Sequence, residues 1–132
     1  MIPTIGIDLV EIERFKNWHA YADRQLRKVF SIKEIAYCRA IPAKSAERFA
    51  VRFAAKEALF KALAPYAQEL PPLRSFLAAT EVTVDHAGVH ITMSESLLNK
   101  YYPDTNKSTL AIQSSLSHTN TTAGAVVVLY FS

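Results

Sequence analysis

The sequence predicts an α+β fold: a small antiparallel sheet of three or four strands, packed on one long helix plus shorter helices. Two observations carry this. Ser45–Ala64 is an alanine-rich run with no glycine or proline inside it, and it stops just before Pro65. Short segments rich in β-formers, bounded by turn residues, open the chain and dominate its second half.

In chain order, Thr4–Leu9 reads as a short strand ending at Asp8. Val10–Val29 has a mostly helical pattern, broken near His19–Asp23. Ser31 and Glu34 form a capping-box pair that starts a short helix, which stops before Pro42. The long helix follows. Pro65–Ala79 contains Pro71-Pro72 and reads as a loop. Thr80–Asp85 and Val89–Met93 read as strands joined at His86-Ala87-Gly88. Ser94 caps a helix to Tyr101, Pro103–Lys107 is a turn, and Ser108–Leu116 and Ala123–Phe131 are strands joined around Ser117–Thr122. No repeat, low-complexity tract or linker divides the chain, so residues 1–132 are expected to form one domain.

At 132 residues the chain can bury one core but has little interior for a large ligand, so a site belongs in a surface cleft or between subunits. Half the residues are hydrophobic and 20% are charged, which fits a soluble globular protein. A net charge of +3 is too mild for an obligate nucleic-acid binder and suits an anionic ligand or an acidic protein partner. Cys38 is the only cysteine, which excludes an intrachain disulfide. Met1-Ile2-Pro3-Thr4 lacks the character of a signal peptide, and the apolar run Ala123–Phe131 is too short to span a bilayer; a cytoplasmic location without a membrane partner is expected. The glycines are Gly6, Gly88 and Gly124, and no P-loop or dinucleotide fingerprint includes them.

The chemistry concentrates on the long helix. At about 100° per residue, Phe49, Phe53, Phe60 and Ala64 share a face, Glu57 lies at its edge and Lys61 one turn on. Arg48, Arg52 and Lys56 make a separate basic stripe, and Ala54, Ala55, Ala58 and Ala62 leave room for close approach. Glu57→Lys61 is the favourable order for a surface ion pair, yet it borders an aromatic face where unpaired charge is expensive. Asp8 has two readings. With Glu11 it forms a capping box, or with Glu57 it supplies the carboxylates of a Mg²⁺ site completed by water and phosphate. His118 lies among hydroxyl residues that suit phosphate contacts, although a lone loop histidine is also commonly structural. His86 and His90 resemble a zinc pair only by spacing, and Cys38 reads as packing. Arg14, Lys16, Arg24, Arg27 and Lys28, interleaved with Phe15, Trp18 and Tyr21, form a solvated basic face or a docking surface.

Taken together, these motifs resemble the holo-acyl-carrier-protein synthases. Ile5-Gly6-Ile7-Asp8-Leu9-Val10-Glu11-Ile12-Glu13-Arg14-Phe15 is similar to the opening signature of that family. Arg52-Phe53-Ala54-Ala55-Lys56-Glu57-Ala58-Leu59-Phe60-Lys61-Ala62 is similar to its second signature, and Leu116-Ser117-His118-Thr119 to its C-terminal segment. Phe30-Ser31 through Glu34 fits the element between the first two, and order and spacing agree over nearly the whole chain. The resemblance implies a Mg²⁺-dependent 4'-phosphopantetheinyl transferase that moves the phosphopantetheine of coenzyme A to a serine of acyl carrier protein for fatty acid biosynthesis. It implies that Asp8 and Glu57 bind Mg²⁺ and that Lys61 neutralises charge on the transferred phosphate. Arg52, His118, Lys44 and Thr119 would contact the adenosine 3′-phosphate or nearby groups. Arg14 and Arg24 would dock the carrier. It also implies a homotrimer with active sites at subunit interfaces; the alanine-rich side of the long helix and the apolar last strand are the candidate contacts in the sequence. Glu57 and a metal-bound water remain alternative proton acceptors. The hairpin departs from the family pattern: Ala87-Gly88-Val89-His90 stands where many members carry Gly-Lys-Pro, and the Ser94–Lys107 segment is longer than usual.

Three other readings compete: the same chemistry on a polyketide or siderophore carrier, a non-catalytic CoA- or carrier-binding module, and a small basic RNA-binding domain. Asp8, Glu57 and Lys61 together argue against the silent module, which has no physical need for all three.

Overall fold

The computed structural model describes residues 2–106 and 108–131. Its centre is α3, Ser45–Leu63, which forms where the uninterrupted alanine-rich run places it. Strand β1 (Thr4–Glu11) crosses the helix as the edge of a three-stranded antiparallel sheet of order β1-β5-β4, with β5 (Thr122–Phe131) in the middle and β4 (Leu110–His118) outside. Strands β2 (Thr80–Asp85) and β3 (Gly88–Met93) form a separate two-stranded sheet. The expectation of one sheet is thereby corrected: among the described residues the hairpin pairs only with itself, and cross-strand register is not written in local sequence. Gly88 closes that hairpin with φ +115, a conformation that side chains other than glycine's rarely adopt.

Small residues bring β1 hard against α3. Gly6, Asp8 and Val10 point inward, while Ile5, Ile7 and Leu9 point out. A Cβ on Gly6 would lie 1.8 Å from the Ala58 carbonyl oxygen, and Thr4 Oγ1 donates to the Ala62 carbonyl at 2.7 Å. Ala54, Ala55, Ala58 and Ala62 are fully buried. The alanine side of α3 is therefore filled by the chain's own core, and this corrects its assignment as a subunit contact.

Two further expectations fail for physical reasons. Val10–Val29 is not mostly helical. The strand continues through Glu11, 3₁₀ turns follow at Ile12–Phe15 and Trp18–Ala20, and only Asp23–Leu26 (α1) is α-helical. Phe15 and Trp18 lock into an aromatic nest with Phe53, Phe30 and Phe49, and that packing dictates the path. Pro65–Ala79 is not all loop: α4 (Leu73–Ala78) starts directly after Pro72 and buries Phe76 and Leu77. Lys107, the end of the expected turn, lies outside the described residues.

The Ser31 capping box opens α2 (Ile32–Arg39): Glu34 N donates to Ser31 Oγ at 3.1 Å, and Ser31 N donates to Glu34 Oε1 at 2.8 Å. Ser94 caps α5 (Glu95–Tyr101) in turn. The same Glu34 carboxylate does more. Its Oε1 lies 2.7 Å from Lys56 Nζ, and its Oε2 accepts from Val82 N of β2 at 2.8 Å. Lys56 also donates to the carbonyls of Val29 and Leu77. Both side chains are fully buried, so this member of the basic stripe is half of a core ion pair. Burial lowers its pKa, while Glu34 opposes that shift.

Candidate active site

Asp8 is buried in the middle of β1, opposite Ala125 of β5, so it caps no helix. Its Oδ1 accepts from Lys61 Nζ at 3.1 Å, and Lys61 also donates to the Ile7 carbonyl at 2.9 Å. The Lys61 ammonium thus crosses from α3 to β1, which is more than a surface pair within the helix. Asp8 Oδ2 is buried without a hydrogen-bond partner among the described residues. Glu57, one turn before Lys61, faces it. Burial raises the Glu57 pKa to about 7, the Asp8 carboxyl adds to the rise, and Lys61 and Arg14 oppose it.

These residues fit a Mg²⁺ ion. They present hard oxygen donors, one of them buried and unsatisfied. No group of three or more His, Cys, Asp and Glu among the described residues could hold a metal by itself. Two carboxylates, with water and substrate phosphate filling the remaining positions, match the habit of Mg²⁺. His90, by contrast, bonds Asp85 through Nε2 at 3.0 Å in the hairpin.

A second cluster lies elsewhere on α3. A cleft of about 250 Å³ is lined by Lys44, Arg52 and His118 together with Tyr37, Glu47 and Arg48, among others. Arg52 is only 4% exposed. Its Nη1 donates to the Arg48 carbonyl at 3.3 Å, and its Nε is buried without a partner among the described residues. A buried guanidinium with an unmet donor suits an anion. His118 Nε2 lies 3.0 Å from Glu47 Oε1. Thr119 does not line the cleft. Its hydroxyl accepts from the backbone N–H groups of Thr121 and Thr122 and shapes the β4–β5 turn. Sequence reading missed Tyr37 and left Arg48 without a role, although Arg48 belonged to the visible basic stripe.

The structure does not merge the two clusters. Asp8, Glu57 and Lys61 do not line the Arg52 cleft. Five helical residues rotate Glu57 roughly 140° away from Arg52. Arg14 is exposed, with its guanidinium 4.8 Å from the Phe53 ring centroid and close enough to Glu57 to act on its acidity. Arg24 lies on the exposed side of α1.

The 4'-phosphopantetheinyl transferase superfamily matches residues 4–121. The chain belongs to this family. It is 38% identical to the holo-[acyl-carrier-protein] synthase of Syntrophus aciditrophicus over 133 residues, covering 98% of this chain and 96% of that one. The Koribacter versatilis holo-[acyl-carrier-protein] synthase is 45% identical over 64 residues, which span 48% of this chain and 50% of that relative. The chain thus matches about half the length of that relative, against nearly all of the Syntrophus enzyme. Among solved structures, the Chronobacterium ammoniagenes ACPS–CoA complex superposes with a TM-score of 0.79 at 27% identity, covering 100% of this chain and 99% of its own. The Helicobacter pylori holo-[acyl-carrier-protein] synthase in complex with coenzyme A gives 0.68 at 29% identity, covering 96% and 99%. The α+β class expected from the sequence agrees with these folds.

Proposed function

We propose that the chain transfers the 4'-phosphopantetheine group of coenzyme A to a serine of apo-acyl carrier protein in support of fatty acid biosynthesis. The product released is adenosine 3′,5′-bisphosphate. The observation that carries the reading is the Asp8–Glu57 pair, with its unsatisfied Asp8 oxygen, set beside Lys61. The serine Oγ forms a bond to the β-phosphorus of CoA, and the bond from that phosphorus to the oxygen of the departing bisphosphate breaks. Such transfer needs positioning and charge neutralisation more than covalent help.

Asp8 and Glu57 would hold Mg²⁺, which supplies charge neutralisation and orientation at the pyrophosphate. Lys61, anchored on the Ile7 carbonyl, stands beside the carboxylates to meet the transferred phosphate. Of the chain's own residues, Glu57 would take the serine proton. Arg52, His118 and Lys44 would bind the 3′-phosphate in their cleft. Arg24, with Arg14, would dock the acidic carrier.

The separation of the two clusters supports a homotrimer with shared active sites. The outer face of the sheet offers the surface. Ile5, Ile7 and Leu9 are 68%, 57% and 67% exposed and run beside Val126 and Val128 of β5. A contiguous apolar row of this kind marks an interface. No helix among the described residues is long and apolar enough to cross a membrane, and the reading keeps the cytoplasmic location expected from the sequence.

The test is incubation with apo-acyl carrier protein, CoA and Mg²⁺, followed by intact-mass measurement of the carrier. A mass gain of one phosphopantetheine group is expected. An unchanged carrier with folded protein and intact CoA would refute the reading.

A further inference from the structure

The basic cleft contains an aromatic residue with no assigned role. Tyr37 projects from α2, 43% exposed. The guanidinium carbons of Arg48 and Arg52 lie 4.0 Å and 4.4 Å from its ring centroid. Arg48 Nη1 also donates to the Tyr37 carbonyl at 2.9 Å. Arg48, Arg52 and Lys56 occupy successive turns of α3, and α2 engages all of them. Glu34 takes Lys56, and Tyr37, one turn beyond Glu34, takes both arginines.

Two cations one turn apart on a helix repel each other. An aromatic face attracts each of them and holds both without supplying a counter-charge. A carboxylate at this position would neutralise the guanidiniums and compete with an incoming anion. The ring leaves their charge intact, and the Arg52 Nε donor stays unmet. Tyr37 lines the cleft with the same two arginines, so they are pre-arranged where an anion enters.

We propose that Tyr37 is a positioning residue for the nucleotide end of CoA: its ring holds Arg48 and Arg52 side by side so that both reach the 3′-phosphate. This rests on the reading of the cleft as the 3′-phosphate site. The role is distinct from packing α2 on α3, because it discriminates between ligands that differ only in that phosphate.

The experiment measures binding of CoA, and of CoA lacking its 3′-phosphate, by calorimetry on the full chain. Tyr37→Leu should weaken CoA binding about tenfold, the scale of two partly desolvated cation–π contacts, and leave binding of the dephosphorylated ligand unchanged. Tyr37→Phe should bind both ligands as the native chain does. Equal losses for both ligands in Tyr37→Leu would reduce the residue to packing and overturn the proposal. Arg52→Met and the exposed-site variant Lys44→Met test the cleft itself. If they lose discrimination while Tyr37→Leu keeps it, the cleft reading stands and the Tyr37 proposal falls. If none of the variants alters discrimination, the phosphate binds elsewhere and both readings fall.

Discussion

Gly6 of β1 passes Ala58 of α3 so closely that a Cβ would stand 1.8 Å from the Ala58 carbonyl oxygen and 2.9 Å from the Ala62 amide nitrogen. Backbone atoms cannot swing aside as a flexible side chain can. Asp8 lies two residues on, pointing to the same face of the strand. Gly6→Ala must therefore push β1 off the helix and carry Asp8 away from Lys61 and Glu57. Overpacking of this kind costs about 1–3 kcal/mol. The variant should melt at lower temperature and, at temperatures where it remains folded, lose Mg²⁺-dependent transfer. Native turnover in a folded Gly6→Ala chain would show that the approach of strand to helix does not set the site.

The buried Glu34–Lys56 pair makes a second expectation. Removing one partner strands a charge that is fully enclosed, which costs about 3–5 kcal/mol. Lys56→Met should destabilise strongly, and so should Glu34→Gln, which also weakens the bonds to Ser31 N and Val82 N. Because the two residues share one network, the double variant should lose less than the sum of the single losses. Denaturant unfolding of the four proteins measures that coupling, and additive losses would contradict it.

That pair also shows what sequence can and cannot reveal. The capping box at Ser31 and Glu34 was legible because its spacing is local, and so was α3, which lacks any breaker. The neighbour that covers a helix face is not local. Lys56 was therefore grouped with Arg48 and Arg52 in one basic stripe, when Glu34 and two carbonyls from distant segments enclose it. The capping alternative for Asp8 stood only because strand β1 was expected to end there, but pairing with β5 carries the strand to Glu11. The residues of both charged clusters were visible as chemistry-bearing side chains. Their separation was legible too, since helical spacing puts Arg52 and Glu57 on different faces of α3; what covers each face was not, because that depends on neighbours from distant segments.

The Glu57 carboxyl gives a pH dependence of definite sign. Its pKa rises from 4.5 to about 7 in the folded chain, so the folded state holds a proton that the unfolded state releases. The resulting stability is fully present below pH 4.5 and is lost as pH rises through about 7. In the presence of a chelator, native protein should lose melting temperature over this window relative to Glu57→Gln, which has no proton to lose. Parallel melting curves for the two proteins would show that burial and Asp8 do not raise the Glu57 carboxyl as described.

Arg14 and Arg24 should separate under charge reversal. Arg24 is an exposed residue on α1, where rim charges govern encounter and orientation of a partner. Arg24→Glu should weaken carrier binding and leave CoA binding intact. Arg14 acts on Glu57 as well, so Arg14→Glu should disturb both carrier binding and the proton affinity of the carboxylate pair. Matching effects of the two reversals on CoA and carrier binding would remove this distinction.

The carboxylates and Lys61 can be told apart by magnesium. Asp8→Asn and Glu57→Gln preserve size and remove the charge proposed to hold the ion. The lost neutralisation is worth about 2.7–4 kcal/mol in comparable electrostatic sites, roughly a hundred- to a thousandfold in rate. Stability should barely fall, because each substitution removes one of two facing negative groups. Lys61→Met should act differently. The Lys61 ammonium sits 3.1 Å from Asp8 Oδ1, where it competes with any metal for the same carboxylate. Removing it should leave Mg²⁺ affinity unchanged or raise it, yet slow transfer, because the developing charge on phosphate loses its cation. The measurement is the rate of carrier modification across a magnesium titration, with thermal melts alongside. If Asp8→Asn and Glu57→Gln keep near-native turnover at limiting magnesium, the carboxylates do not hold the metal. If Lys61→Met transfers at the native rate, the lysine serves only to join α3 to β1.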